Sequence, residues 1–152
     1  MAQGGMSAGM PSDQELRSML GEARTIAVVG LSSDPNRASH GVARYLQRKG
    51  YRIVPINPNE TEVLGERAYP TLMEVPKDIS IDVVDVFRRP EATPDVARDA
   101  VAVGAKVLWL QTGIVNEEAG RIGEEGGLDV VMGVCIHDAG VRLEGVQGGS
   151  NP

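Results

Sequence analysis

The chain has 152 residues with 15 basic and 21 acidic side chains, so its net charge is −6 at pH 7, and this length suits one domain. The acidic balance and the aromatic content of 3% exclude a general nucleic-acid binder, which needs basic patches for phosphates and aromatic rings for bases. The 41% hydrophobic content is ordinary for a globular protein.

The two ends of the chain lack periodicity and are rich in small and polar residues. This composition predicts a disordered leader over 1–11, a domain over 12–145 and a flexible tail over 146–152. No apolar run reaches the ~18 residues of a membrane helix, and the leader does not show the basic and apolar regions of a secretory signal. We therefore expect a cytoplasmic protein with no membrane partner.

Five short apolar segments are predicted as strands. They are rich in Val, Ile and Leu, and most show no clean alternation, as is typical of strands covered on both faces of a parallel sheet. The third segment carries Asp82 and Asp85, which favours an edge position in the sheet. In chain order the segments are 25–30, 51–56, 81–87, 106–110 and 128–132.

Helical patterns separate these segments. Ser12 and Glu15 predict a capping box at the start of the first helix. Thr93 with Pro94 predicts a cap and a first-turn proline for the third. Gly50 and Gly104 end the second and third helices, Glu117–Glu125 is the fourth, and 71–75 has room for one helical turn at most.

The alternation of strands and helices predicts an α/β fold. Parallel strands joined by right-handed crossovers form a doubly wound, five-stranded parallel sheet in a single domain. From general fold rules we expect the strand order 3-2-1-4-5. Ligands of such sheets bind beyond the carboxyl ends of the strands, where the strand order reverses. Polar, glycine and arginine residues follow all five strands here, as a phosphate-bearing ligand requires.

The loop after the first strand carries the clearest phosphate signal. Gly30 permits a close turn, Ser32 and Ser33 offer hydroxyl groups, and Arg37 and Ser39 lie near the start of a helix, whose free N–H groups favour an anion. The loop matches neither G-x-G-x-x-G nor G-x-x-x-x-G-K-[ST]. An ordinary polar loop that caps its helix is therefore an open alternative.

The segments after the second and third strands bear on which nucleotide could bind. An NAD-binding unit places a carboxylate at the end of its second strand, whereas this chain has Asn57 and Pro58 and no carboxylate before Glu60. Arg88 and Arg89 follow the third strand and could supply forked donors to a phosphate, or form a solvated charge pair.

Five strings follow one another along the chain: T-I-A-V-V-G-L-S (25–32), G-V-A-R-Y-L (41–46), G-Y-R-I-V-P-I-N-P (50–58), D-V-V-D-V-F-R-R (82–89) and V-L-W-L-Q-T-G (107–113). In this order they resemble the small stand-alone CoA-binding proteins, whose fold is similar to the CoA-binding N-terminal domain of the succinyl-CoA synthetase alpha subunit. The resemblance covers about 14–143. It implies a Rossmann-like domain that holds coenzyme A through its nucleotide part.

The same resemblance implies contacts along the whole ligand. Gly30, Ser32 and Ser33 would approach the phosphates, helped by Arg37 and Ser39. The remaining contacts fall into three groups: Val54, Asn57 and Pro58 would border the adenosine end, Phe87, Arg88 and Pro90 would line the groove, and Gln111 and Gly113 would flank the pantetheine arm.

The chain departs from the family after the fifth strand. The family has Asp-Arg-Cys there, whereas this chain has Gly133-Val134-Cys135 and so lacks both charges at these positions. Cys135 and His137 with the distant His40 make an incomplete zinc set, and we predict neither a metal nor catalytic residues. We expect Cys135 to be a buried small hydrophobe; a mixed disulfide with the CoA thiol is a further hypothesis.

We therefore predict a module that binds coenzyme A or acyl-CoA and has no catalysis of its own. The synthetase-like enzymes carry phosphate on a histidine of a second domain, and we see no such domain in this chain. One alternative is an NAD(P)-binding enzyme or redox sensor. Another is a CoA-handling subunit that becomes catalytic only with a partner chain of grasp type.

Overall fold

The computed structural model describes residues 10–148, so 1–9 of the predicted leader and 149–152 of the predicted tail lie outside the described residues. The last helix continues to Gly148, past the predicted domain end at 145. The helices are α1 (Asp13–Glu22), α2 (Ala38–Arg48), α3 (Thr93–Ala102), α4 (Glu117–Glu125) and α5 (Ile136–Gly148), and the strands are β1 (Thr25–Val29), β2 (Arg52–Ile56), β3 (Glu62–Val63), β4 (Glu66–Arg67), β5 (Val83–Val86), β6 (Val107–Leu110) and β7 (Asp129–Met132).

Five parallel strands form one sheet in the order β2-β1-β5-β6-β7, which confirms the doubly wound α/β fold. Counted as five major strands, this order is 2-1-3-4-5, so the predicted order 3-2-1-4-5 is wrong. The chain after β2 makes the small β3–β4 hairpin and covers the outer edge of β2, where Tyr69 N donates to Pro55 O over 3.0 Å. The third major strand therefore pairs with β1 instead.

The acidic strand β5 lies in the middle of the sheet, between β1 and β6, so its predicted edge position is wrong. Asp82 lies just before the strand, where its Oδ2 accepts hydrogen bonds from Arg24 N (2.9 Å) and Thr25 N (3.0 Å). Burial alone would raise the pKa of Asp82, but these amides and the Lys106 ammonium group lower it overall. Asp82 thus fixes the start of β1.

Asp85 lies within β5 and is completely buried. Its Oδ1 accepts a hydrogen bond from Gln111 Nε2, while its Oδ2 has no hydrogen-bond partner. Burial raises the pKa of Asp85 to about 8, which the bond from Gln111 only partly offsets. The side chain is therefore protonated and neutral at pH 7, which is why a central strand can hold it.

Hydrophobic side chains cover both faces of the sheet. On one face α3 and α4 bury a cluster that includes Leu108 and Ala97, and on the other face α1, α2 and α5 bury Trp109 and Leu46. Trp109 is fully buried, and its Nε1 donates to Val134 O over 2.8 Å. Within 10–148, no helix is long and apolar enough to cross a membrane.

The helix caps match the sequence signals in part. Ser12 Oγ accepts from Glu15 N (3.1 Å) and Ser12 N donates to Glu15 Oε1 (2.7 Å), which confirms the capping box. Thr93 was predicted as the cap of α3, but the N-cap is Ala92 and the Thr93 hydroxyl donates to Pro90 O over 2.6 Å. The segment predicted to hold one helical turn contains the 3-10 turn Leu72–Glu74.

The raised pKa of Asp85 predicts a pH dependence of stability. The folded chain holds the proton of Asp85 more tightly than the unfolded chain, where the pKa of this carboxyl group is the ordinary 3.8. The protonated carboxyl group therefore contributes its full stabilisation below pH 3.8, and this contribution is lost as the pH rises to about 8. We expect the unfolding free energy of the wild type, measured against Asp85→Asn, to fall by at least about 1 kcal/mol between about pH 5 and pH 8.

Urea unfolding at a series of pH values measures this difference. Asp82→Asn is the matched control, because the pKa of Asp82 is lowered and its contribution is lost in acid instead. A difference between wild type and Asp85→Asn that stays constant with pH would show that Asp85 does not titrate in this way.

Candidate functional site

A cavity of about 980 Å³ lies at the carboxyl edge of the sheet. The loops after β1, β2 and β5 line it, and residues of α3 close one side. β2 lies on one side of β1 and β5 on the other, so the strand order reverses beside β1. The carboxyl edge between β1 and β5 is therefore the position at which open α/β sheets bind ligands. The fold therefore places the cavity where the sequence analysis expects it.

Gly30 forms the floor of this cavity. Its φ is +89°, and a Cβ built there would lie 2.3 Å from Phe87 O. Gly30 N donates to Ile56 O over 2.7 Å, and Phe87 N donates to Val29 O over 2.8 Å. The backbone after β1 is thus held against the ends of both neighbouring strands, and a side chain at 30 has no room.

The amino terminus of α2 opens onto the same cavity. Arg37 is the N-cap and makes no side-chain capping bond, so the partial positive charge of the helix end is not neutralised by a cap. Ser39 is buried, and its Oγ accepts a hydrogen bond from Ser32 N over 3.1 Å. That bond keeps the loop after β1 close to the first turn of α2.

Two kinds of charge line the cavity. The basic side chains are Arg37, Arg88 and Arg89, and Arg89 makes only an exposed contact of 3.8 Å with Glu91. In the part of the chain that the structure describes, Arg37 and Arg88 make no ion pair. Their guanidinium groups therefore have no carboxylate partner to lose when an anion binds.

The acidic lining residues are Glu60, Asp95 and Asp99. Asp95 is paired with Arg98 at 2.6 Å. Burial raises the pKa of Asp99, and the neighbouring charge of Asp95 raises it further. The cavity thus has arginines and Glu60 on its loops and two carboxyl groups on α3.

The loop after β2 is tied to the loop after β1. Asn57 Nδ2 donates to Leu31 O over 2.9 Å, and Asn57 Oδ1 accepts from Asn59 N over 2.9 Å. Glu60 Oε2 accepts from Ser33 N over 2.8 Å. Asn57 therefore joins the two loops, while Glu60 brings a carboxylate into the cavity three positions after it.

The structure brings together nine of the thirteen residues that the sequence analysis assigns to a ligand. These nine line the cavity: Gly30, Ser32, Arg37, Ser39, Asn57, Pro58, Phe87, Arg88 and Pro90. Val54 is buried within β2, Ser33 is exposed and Gly113 is exposed with a φ of +80°. Gln111 is buried, bonded to Asp85 and to Ile136 N at 3.3 Å.

Part of the lining was not predicted from the sequence. Asp95 and Asp99 are one helical turn apart, a spacing that places both on one face of α3, but nothing in the sequence shows that this face meets the loop after β1. An apolar wall completes the cavity and comes from several elements: Val29, Ile56, Leu72, Val96 and Ile114. The described residues that line the cavity include no Cys, His, Lys or Tyr.

Comparison with known proteins gives concordant results. A family model described as a CoA binding domain matches residues 24–139. The chain is similar to "Uncharacterized protein YneT" of Bacillus subtilis, with 45% identity over 126 residues, which are 83% of this chain and 92% of the relative. It is also similar to a structure of a hypothetical protein from Pyrococcus horikoshii, with a TM-score of 0.85, 36% identity and coverage of 88% of this chain and 93% of the other.

A larger protein shares the same domain. The chain is 30% identical to the alpha subunit of acetate–CoA ligase (ADP-forming) II from Pyrococcus furiosus over 124 residues. These are 80% of this chain but only 26% of that subunit. The similarity therefore concerns one quarter of the ligase subunit.

The contact beneath the cavity predicts an effect on stability. Gly30→Ala introduces both a positive φ and a collision with Phe87 O, whereas Gly104→Ala introduces only a positive φ, because no atom lies within 4 Å of its Cβ. We expect Gly104→Ala to lower the unfolding free energy by about 1–2 kcal/mol. Gly30→Ala should lower it by roughly 1–3 kcal/mol more. Chemical denaturation measures both, and equal losses would contradict the close approach.

Proposed function

Because this chain belongs to the CoA-binding domain family, we propose that it binds coenzyme A or acyl-CoA in the cavity at the carboxyl edge of the sheet. In this proposal the nucleotide part of the ligand makes the principal contacts, and the chain is a binding module without catalysis of its own. The observation that carries the proposal is the uncapped start of α2, which opens onto the same cavity as Arg37 and Arg88.

The phosphates account for the positive part of the cavity. Helix N–H groups at Ala38 and Ser39 point out of the first turn of α2, where a phosphate is favoured. Gly30 allows the ligand to approach the backbone, and Arg37 and Arg88 can donate forked hydrogen bonds to phosphate oxygens. The charges and the space agree with a ligand that carries several phosphate groups.

The remaining lining suits the less charged parts of coenzyme A. Pro58 and Phe87 offer apolar surface beside the polar Asn57. The apolar wall of the cavity, which includes Ile114, adds to this surface. Gln111 is already bonded to Asp85 and to the start of α5, so in this proposal it supports the loop that flanks the pantetheine arm.

An NAD(P) ligand is the second candidate, and Glu60 is the observation that favours it. A dinucleotide-binding unit uses a carboxylate near the end of its second strand to hold the ribose hydroxyls. Glu60 lines the cavity, but its Oε2 already accepts from Ser33 N. A ribose would have to share or displace this bond, which makes coenzyme A the better-supported ligand.

A third candidate is a CoA-handling subunit that is catalytic only with a partner chain, as the similarity to the alpha subunit of a ligase suggests. In that case the chain would bind coenzyme A in the same cavity and present the thiol of coenzyme A to the partner. Co-purification of a partner that confers ligase activity would favour this candidate over an independent module.

Calorimetry with purified protein tests the proposal. We expect saturable binding of coenzyme A, and Arg88→Ala should weaken it by about 1–3 kcal/mol through loss of a charge-assisted bond. Arg52→Ala is the matched control, since Arg52 is exposed and begins β2 at the opposite edge of the sheet. Equal affinities for the wild type and Arg88→Ala would remove Arg88 from the site.

Thermal unfolding with a panel of ligands separates the candidates. A ligand at 100 times its Kd adds about 2.7 kcal/mol to stability, which is several degrees for a chain of this size. We expect a shift with coenzyme A and acetyl-CoA, a smaller one with 3′-dephospho-CoA and none with NAD(H). A shift with NAD(H) alone would overturn the assignment to coenzyme A.

A further inference from the structure

A cluster of three potential metal ligands lies outside the cavity, where the segment after β7 meets the first turn of α5. Cys135, His137 and Asp138 each offer one ligand atom, and these three atoms all lie within 4.8 Å of one another. The sequence offers Cys135 and His137 with the distant His40, a set that was predicted to be incomplete for zinc. The structure adds the carboxylate of Asp138 as a third donor. We propose that this cluster binds one Zn²⁺ ion, or a divalent ion of similar preference.

The backbone that carries the cluster is anchored to the sheet on both sides. Trp109 Nε1 donates to Val134 O over 2.8 Å, and Ile136 N donates to Gln111 Oε1 over 3.3 Å. Ala139 N donates to Cys135 O over 2.9 Å, so the first turn of α5 begins immediately after the cysteine. The three side chains are therefore carried on a fixed turn, which lowers the conformational cost of bringing them to one ion.

The ring of His137 is also held in position. It packs edge-on against the ring of Tyr45, with 4.4 Å between the ring centroids. The Tyr45 hydroxyl donates to Glu144 Oε2 over 3.0 Å, and that carboxylate pairs with Lys49 at 2.9 Å. This packing restricts the orientation of the His137 ring.

The spacing of the ligand atoms suits a single ion. His137 Nδ1 lies 3.1 Å from Asp138 Oδ1. Zinc binds sulfur at about 2.3 Å and nitrogen or oxygen at about 2.0–2.2 Å, so two ligands of one tetrahedral ion are about 3–4 Å apart. A separation within 4.8 Å therefore needs only small side-chain rotations. The side chains of His137 and Asp138 are 40% and 78% exposed, so an ion can reach them from solvent.

The donor types select the ion. Sulfur, imidazole nitrogen and one carboxylate oxygen suit zinc and similar transition metals, whereas Ca²⁺ and Mg²⁺ prefer sites made of oxygen. The positive end of α5 opposes a cation, but a thiolate and a carboxylate bring two negative charges that offset it. Three protein ligands leave a fourth position for water or another small ligand.

Titration with Zn²⁺ and Co²⁺ tests this site on untagged, reduced protein without coenzyme A. We expect one ion per chain, with affinity that rises with pH because the thiol must lose its proton. The Co²⁺ complex should show a thiolate charge-transfer band in the near ultraviolet. Because Cys135 is the only cysteine in the sequence, this band can arise only from Cys135. Absence of ion binding, or binding without the band, would overturn the proposal.

Four variants identify the ligands. Cys135→Ser should abolish the charge-transfer band, and His137→Gln and Asp138→Asn should each weaken Zn²⁺ binding at least about 10-fold, since even outer partners of a metal often have that effect. His40→Gln is the matched control, because His40 lies on α2 and is the only other histidine in the sequence.

Circular dichroism of each variant verifies folding, and Cys135→Ala replaces Cys135→Ser if the serine variant does not fold. Equal weakening by His40→Gln and His137→Gln would show unspecific binding and would also overturn the proposal. The test uses no coenzyme A, so its outcome is independent of the proposed function.

Discussion

The contact between Gly30 and the carbonyl oxygen of Phe87 is the constraint on which the functional edge of this protein depends. Parallel strands β1 and β5 are neighbours, so the chain leaving β1 must pass directly over the end of β5. It can do so only where no Cβ intervenes, and the φ of +89° turns it toward α2. The cavity, the exposed start of α2 and the position of Arg88 all follow from this one close approach.

The composition of the strands identified the fold class but misplaced β5. An aspartate in an apolar strand is usually a sign of exposure, and this general expectation failed at Asp85 because burial keeps its carboxyl group protonated. β2, one of the two edge strands, has a different sequence feature. Pro55 has no N–H to donate, and proline within a sheet is confined to edge strands and bulges. On the outer side of β2, Pro55 O accepts a hydrogen bond from Tyr69 N. No local sequence pattern reveals this contact between two segments.

The candidate site likewise contains residues whose positions follow from the local sequence and residues whose positions depend on packing. Gly30 and Asn57 directly follow β1 and β2, and Arg88 comes two positions after β5. Because the carboxyl ends of parallel strands meet at one edge, the convergence of these residues could be predicted from the sequence. Asp99 and Ile114 come from the helix and loop that close the cavity, and their approach depends on how the layers pack. Gln111 also follows a strand, yet its side chain turns inward to the buried Asp85, a partner that became apparent only in the structure.

Helix α5 was not predicted, because glycine at 140 weakens a helical pattern although Ile136, Ala139 and Leu143 keep the spacing of one buried face. Packing explains the glycine: a Cβ at 140 would lie 2.7 Å from the Tyr45 hydroxyl, so its absence lets α5 approach α2. Tyr45 then contacts His137 with its ring and Glu144 with its hydroxyl. The helix whose start faces the cavity therefore also orients the first turn of α5. The close packing of α2 and α5 at Gly140 thus links the cavity at the start of α2 to the cluster of Cys135, His137 and Asp138.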